Sequence, residues 1–68
     1  MIKVITRNNN TIEVTATRIS STRVEVSIEI WRDGDLITSG VDVLDTTRTL
    51  PKVIIYGLNK SLAILHDV

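Results

Sequence analysis

The sequence predicts an α+β domain in which a four-stranded antiparallel meander is followed by one C-terminal helix packed on one face, in the order ββββα. Two observations favour this fold. Of the 29 apolar residues, 18 are Ile or Val, a composition typical of strands. Apolar and polar residues alternate as far as residue 44, and a period near 3.6 residues follows Pro51. The length of 68 residues allows one domain, 1–68.

The dipeptide Asp33-Gly34 is the strongest local signal, because it favours a two-residue type I′ turn between alternating segments. It predicts a hairpin of strands 22–32 and 35–44, with Trp31 opposite Leu36. Uninterrupted pairing gives Arg32–Asp35, Ile30–Ile37, Ile28–Ser39, Val26–Val41 and Val24–Val43.

Two further strands, 2–7 and 11–19, precede this hairpin. Asn8-Asn9-Asn10 and Ser20-Ser21-Thr22 are each predicted to form a three-residue loop, since these residue types tolerate turn conformations. The predicted pairs are Val4–Val14, Ile2–Ala16, Ala16–Val26, Val14–Ile28 and Ile12–Ile30. A slide of two residues between the second and third strands would keep the same faces, so that offset stays open.

A helix is predicted over residues 50–66, with Thr49 as its N-cap and Pro51 in its first turn. The alternative is a fifth strand at 52–56, because that segment is rich in β-branched residues and Gly57 weakens a helix. The 3.6-residue period favours the helix.

The predicted helix has an apolar arc of about 200°, wider than the stripe of roughly 100° that one sheet covers. The surplus predicts a homodimer with an interface at Val53, Ile55, Leu62 and Ile64. A curled sheet that wraps the helix in a monomer is the alternative. An exposed strand edge, at the first or the fourth strand, is a second route to a dimer.

The sheet face away from the helix is predicted to be polar, with one aromatic exception. Trp31 and Leu36 form an apolar pair there, which we expect to bind a protein partner because Trp is enriched at interface hot spots. Ile5 and Arg7 on the same predicted face, together with Arg32 next to Trp31 in the chain, complete this partner site. Long charged side chains that cover the indole are an equal alternative. It also carries Lys3, Thr38, Asp42 and Leu44.

No pattern of catalytic residues, cofactor loop or metal ligands is found, so an enzyme is not expected. His66 lies near the helix end, where a surface position explains it. Asp33 and Asp35 lack the spacing of a calcium loop and are explained by the turn. Glu25 is predicted to face Asp42, and a screened surface cluster is the favoured explanation.

Composition narrows the function classes. The formal net charge of zero argues against a phosphate-backbone partner, and the absence of Cys excludes a disulfide framework. No apolar run has the roughly 18 residues of a membrane span, so a cytoplasmic protein is expected.

These observations predict a small non-catalytic protein-interaction module, a homodimer that inhibits or regulates another protein. In size and layout the chain is similar to the small accessory inhibitors that phages encode. One alternative is a single-stranded nucleic-acid-binding dimer, since the layout is also similar to small dimeric single-strand-binding coactivators; the few cations and single Trp fit it poorly. A small-ligand site at a subunit seam is the other alternative.

Overall fold

A computed structural model describes residues 1–66 and confirms the ββββα fold. One open sheet has the strand order β1-β2-β3-β4, with every neighbouring pair antiparallel. The helix α1 follows the sheet along the chain and packs on β2 and β3. The elements are β1 Ile2–Arg7, β2 Asn10–Ser20, β3 Arg23–Arg32, β4 Asp35–Asp45 and α1 Leu50–His66.

Two of the three hairpin turns depend on left-handed backbone. Asp33 (φ 53°) and Gly34 (φ 83°) confirm the predicted type I′ turn, which requires positive φ at both central residues. Asn8 and Asn9 have φ of 50° and 67°, so they form a two-residue turn of the same kind. The predicted three-residue loop over 8–10 is therefore wrong, because Asn10 already pairs with Arg7 in the sheet.

The turn between β2 and β3 also holds two residues, Ser21 and Thr22, instead of the predicted three. A bulge at Ile19 supplies the odd residue, since the ladder steps from Arg18 directly to Ser20. The pairs Ala16–Val26, Val14–Ile28 and Ile12–Ile30 are confirmed, and the slide of two residues does not occur.

The segment 52–56 is helical, so the alternative of a fifth strand is wrong. The helix begins at Leu50, directly after Thr49, whose carbonyl oxygen accepts hydrogen bonds from the backbone N–H groups of Lys52 and Val53. Thr49 therefore occupies the predicted N-cap position. Within residues 1–66, no helix combines the length and the apolar character needed to cross a bilayer.

The core lies between α1 and the two central strands, and at Gly57 the helix comes close to the sheet. A Cβ added to Gly57 would lie 2.6 Å from Cγ1 of Val14 and 3.2 Å from Cγ1 of Val26. The missing side chain thus lets the helix backbone contact the sheet. Ser61, one turn later, is fully buried and donates its hydroxyl to the Gly57 carbonyl at 2.8 Å. The buried apolar residues are Ile12, Val14, Ala16, Val24, Val26, Ile28, Ile30, Val53 and Ile54.

Arg18 fixes the connection between the sheet and the helix. Its guanidinium donates hydrogen bonds to the carbonyls of Ser20, Thr46 and Arg48. The Thr46 N–H also donates to the carbonyl of Thr22 at 2.8 Å. The connector between β4 and α1, residues 46–49, is therefore held against the β2–β3 turn, and this contact sets the start of α1.

Candidate protein-binding face of the sheet

A bulge in β4 decides which side chains the sheet presents to solvent. Trp31 lies opposite Leu36, as predicted, but Ile30 lies opposite Thr38, so Ile37 is an extra residue in β4. Beyond this point the pairs are Ile28–Gly40, Val26–Asp42 and Val24–Leu44. The predicted pairs Ile30–Ile37, Ile28–Ser39, Val26–Val41 and Val24–Val43 are therefore wrong by one residue.

The bulge turns the β4 valines away from the helix. Val41 and Val43 lie opposite Ser27 and Glu25, and they are 64% and 54% exposed. The physical reason is that α1 covers the central strands and not β4. Burial of one face specifies strand register only where that face is covered, and edge strands are where bulges concentrate.

The shorter Asn turn has the same effect on β1. Ile2 lies opposite Thr15 and Val4 opposite Glu13, so the predicted pairs of Ile2 with Ala16 and of Val4 with Val14 are wrong. Ile2 and Val4 are 57% and 52% exposed on the sheet face opposite the helix, which we call the outer face. On this outer face the two edge strands, β1 and β4, carry β-branched aliphatic side chains. Its centre is polar, with Thr11, Glu13, Thr15, Thr17, Glu25, Ser27 and Glu29.

Trp31 stands at the hairpin end of the outer face. It lies between Thr11 and Leu36 across the strands, is half-buried, and donates its indole N–H to Oε2 of Glu29 at 3.2 Å. Leu36 is 48% exposed and the bulged Ile37 is 40% exposed. The indole is thus oriented by a carboxylate and bordered by accessible aliphatic groups, an amphipathic arrangement common at protein interfaces.

The outer face is acidic although the chain is neutral. Glu13 lies directly opposite Glu29, both half-buried, and Glu25 is on the same face. Arg23 and Asp45 form an ion pair with Nε and Oδ1 at 3.1 Å at one end of this face. Neither ion pair within residues 1–66 includes the three glutamates. Directly opposed like charges destabilise a sheet, so a cationic surface placed here would relieve repulsion.

The other predicted partner residues are not brought to Trp31. Ile5 lies opposite Ile12 and packs against the core, so its predicted outer-face position is wrong. Arg7 and Arg32 both pair with Asn10 on the helix side, where Nε of Arg32 donates to Oδ1 of Asn10 at 2.9 Å. The outer-face positions predicted for Lys3, Thr38, Asp42 and Leu44 are likewise wrong, since these pair with Val14, Ile30, Val26 and Val24.

The four residues of the predicted dimer interface on α1 differ in their exposure. Val53 is 3% exposed and belongs to the core, whereas Ile55 is 57% exposed. Leu62 and Ile64 are partly buried and pack against the core. Together with Tyr56, which is 42% exposed, Ile55 is the accessible apolar group near the middle of α1.

The helix side of β4 carries an ion pair and a small cavity. Lys60 of α1 donates to the Asp42 carboxylate, and this hydrogen bond raises the pKa of Lys60 above its ordinary value. Asp42 does not face Glu25, which corrects the predicted carboxylate pair. A cavity of about 160 Å³ lies beside the pair, and Ile28, Gly40 and Ile64 contribute to its lining.

Few side chains in the described residues have the chemistry and grouping of a catalytic or metal site. His66 is exposed at the end of α1 and lines, with Arg7, Asn10 and Leu62, a cavity of about 610 Å³. Asp33 occupies the β3–β4 turn and Asp35 begins β4. Among residues 1–66, no group of three or more His, Asp or Glu side chains could hold a metal ion.

Comparison of the chain with protein-family models, with curated proteins and with solved structures finds no match. The function is therefore inferred from the outer face itself. Sequence reasoning found Trp31 and Leu36 but missed Val41 and Val43, because their alternation resembles that of a core-facing set. The edge position of β4 was the signal that an interruption could occur there.

Proposed function

We propose that this protein is a small non-catalytic interaction module that acts as a homodimer in the cytoplasm and inhibits or regulates another protein. The outer face of the sheet is its partner-binding surface. The observation that carries the proposal is the apolar pair Trp31–Leu36 beside the directly opposed Glu13 and Glu29 on a face that α1 leaves uncovered.

The chemistry of this face defines the partner. An apolar group on the partner would cover Trp31 and Leu36, and Lys or Arg side chains beside it would compensate the three glutamates. Such a partner presents a basic surface with an apolar centre. Trp side chains with accessible neighbours are frequent hot spots, and complementary charge raises the association rate and improves specificity.

The alternative of single-stranded nucleic-acid binding finds no support on this face. The central positions that would track a phosphate backbone carry Glu13, Glu25 and Glu29, and Trp31 is the aromatic side chain on the sheet. Binding of a nucleic acid requires a positively charged groove and several stacking platforms. The acidic outer face supports a protein partner instead.

The test compares Trp31→Ala with Tyr56→Ala, which removes the exposed aromatic side chain of the helix. Each variant and the wild-type chain are used to capture partners from a lysate of the cells in which the protein occurs, and the amount of each captured protein is measured across a salt series. We expect Trp31→Ala to weaken capture by roughly 30-fold, the effect of a hot spot of about 2 kcal/mol. We expect Tyr56→Ala to leave capture unchanged.

Added salt should weaken wild-type capture, because it screens exposed charges. Circular dichroism is used to check that both variants remain folded. Capture that survives Trp31→Ala in a folded protein, or that falls equally with Tyr56→Ala, would contradict the proposal.

A further inference from the structure

The edge of β4 that does not pair with β3 is the longer of the two unpaired edges of the sheet. β4 spans 11 residues, Asp35–Asp45, whereas β1 at the opposite edge spans six. An exposed edge presents unpaired backbone N–H and C=O groups, and proteins usually protect it with charged side chains. Here the outer-face positions along the middle of the edge are Ser39, Val41 and Val43, none of them charged.

We propose that a second copy of this chain pairs with this edge, β4 against β4 in antiparallel orientation, around a twofold axis at Val41. The two sheets then form one continuous eight-stranded sheet with a helix on each half. This inference rests on the homodimer of the proposed function and specifies its seam. A closed twofold contact of this kind uses the same surface on both copies and leaves the two Trp31 sites free.

The outer side of this seam is apolar. With the axis at Val41, that residue lies opposite Val41 of the second copy, and Val43 lies opposite the second copy's Ser39. Cβ atoms of directly opposed residues are about 4.5–5.5 Å apart, so the four valines form a stripe across the axis. In the isolated chain Val41 is the most exposed of the large aliphatic side chains in residues 1–66, at 64%.

The helix side of the seam has space for the facing side chains and is neutral overall. The same axis sets Asp42 opposite Gly40 of the second copy. Nothing lies within 4 Å of a Cβ added to Gly40, so the glycine leaves space for the facing carboxylate. Each Asp42 keeps its own Lys60, and the side chains of this ion pair are 44% and 43% exposed, within reach of a neighbour. The seam therefore carries no net charge on this side.

The charges along β4 disfavour the neighbouring register on the Asp42 side. An axis moved by one residue, to Asp42, would also bring valines together, but it would place the two Asp42 carboxylates directly opposite each other. Directly opposed like charges destabilise antiparallel pairs. Because side chains alternate between faces, an axis between two residues would set outer-face valines against helix-side residues, which a continuous sheet does not allow.

Single-cysteine variants test this register, since the natural chain contains no Cys. Val41→Cys, Val43→Cys and Val4→Cys are oxidised in a glutathione redox buffer at equal concentration, and covalent dimer is measured on a non-reducing gel. Directly opposed residues lie about 5.5 Å or less apart at Cα, within disulfide range. The two copies of residue 43 would be separated by four residues along the strand, on the order of 13 Å.

We expect Val41→Cys to form covalent dimer at least tenfold faster than Val43→Cys and Val4→Cys. Equal rates for Val41→Cys and Val43→Cys would overturn the register, and faster linkage through Val4→Cys would move the seam to β1. A second measurement uses Val41→Lys with Val4→Lys as its matched control. The control has the same substitution, face and edge position, and Val4 is 52% exposed.

Light scattering across a concentration series should give twice the 7.6 kDa chain mass for the wild-type chain and for Val4→Lys, and a single chain mass for Val41→Lys. Circular dichroism reports the folding of each variant. A monomeric wild-type chain overturns both the seam and the homodimer. A dimer that survives Val41→Lys overturns the seam but not the homodimer. Partner capture through Trp31 is tested separately, so neither result decides it.

Discussion

Substitution of Gly57 by Ala tests the helix–sheet packing, because two known effects act in opposite directions there. In an exposed helix the change stabilises by about 1 kcal/mol, the difference in helix propensity. Here the new Cβ would lie 2.6 Å from Cγ1 of Val14, whereas ordinary contacts begin at 3.4 Å. Val14 is fully buried and Val26 is 2% exposed, so neither side chain has space to move away.

The magnitude follows from these distances. The helix must move outward by roughly 1 Å or the valines must leave their rotamers, and such overpacking costs about 1–3 kcal/mol. The stiff β-branched neighbours place this cost at the upper end of the range, about 3 kcal/mol. The gain in helix propensity offsets about 1 kcal/mol of it, so the free energy of unfolding should fall by about 2 kcal/mol. A domain of this size has only about 3–5 kcal/mol of stability, and the midpoint of thermal unfolding should fall by roughly 10 °C.

Urea unfolding followed by circular dichroism at one protein concentration measures the change in free energy of unfolding. Asn59→Ala is the control, since Asn59 is exposed on the same helix and the substitution should stabilise by about 0.5 kcal/mol through propensity alone. If Gly57→Ala were as stabilising as Asn59→Ala, the close approach at Gly57 would be refuted.

Three other predictions concern the turns and the polar contacts. Gly34→Ala should lower the free energy of unfolding by about 1 kcal/mol, because residue 34 has a φ of 83°; an unchanged urea midpoint would contradict the type I′ turn. Asn10→Ala should cost about 1–2 kcal/mol in the same assay, since it removes the buried acceptor of Arg32, and a neutral result would show that this contact contributes nothing. Asp42→Asn should destabilise the protein at neutral pH, and its difference from wild type should vanish as the pH rises through the raised pKa of Lys60. A raised lysine pKa gives stability that is present below the unfolded-state value and lost above the folded-state value, so a difference that persists unchanged at high pH would refute the pair.

The central strands could be predicted from the sequence because they are buried on one side by the helix. Ile12 and Ile30 pair as predicted, since any shift by one residue would expose the entire apolar set. The turn at Asp33-Gly34 could also be predicted, because its backbone conformation strongly favours this residue pair. The helix was predictable from its period despite Gly57, whose role depends on the proximity of Val14.

The edge strands could not be predicted in the same way. The apolar alternation of Val41 and Val43 is compatible with either face, and it carries no information about the bulge at Ile37 that reverses it. On β1, a two-residue turn at Asn8 and Asn9 has the same consequence. The candidate site could therefore be predicted only in part. Trp31 with Leu36 was found beside the turn, and the predicted pairing of the second and third strands already sets Glu13 opposite Glu29. The exposed valines of β4 emerged only from its observed register.

The register of β4 decides whether Val41 and Val43 lie on the outer face and therefore underlies the proposed seam, and nuclear Overhauser contacts between the backbones of β3 and β4 measure it most directly. The bulge at Ile37 predicts cross-strand contacts of Val24 with Leu44 and of Val26 with Asp42. Contacts of Val24 with Val43 and of Val26 with Val41 would contradict it, since both valines would then face the helix and the edge would lose its apolar side.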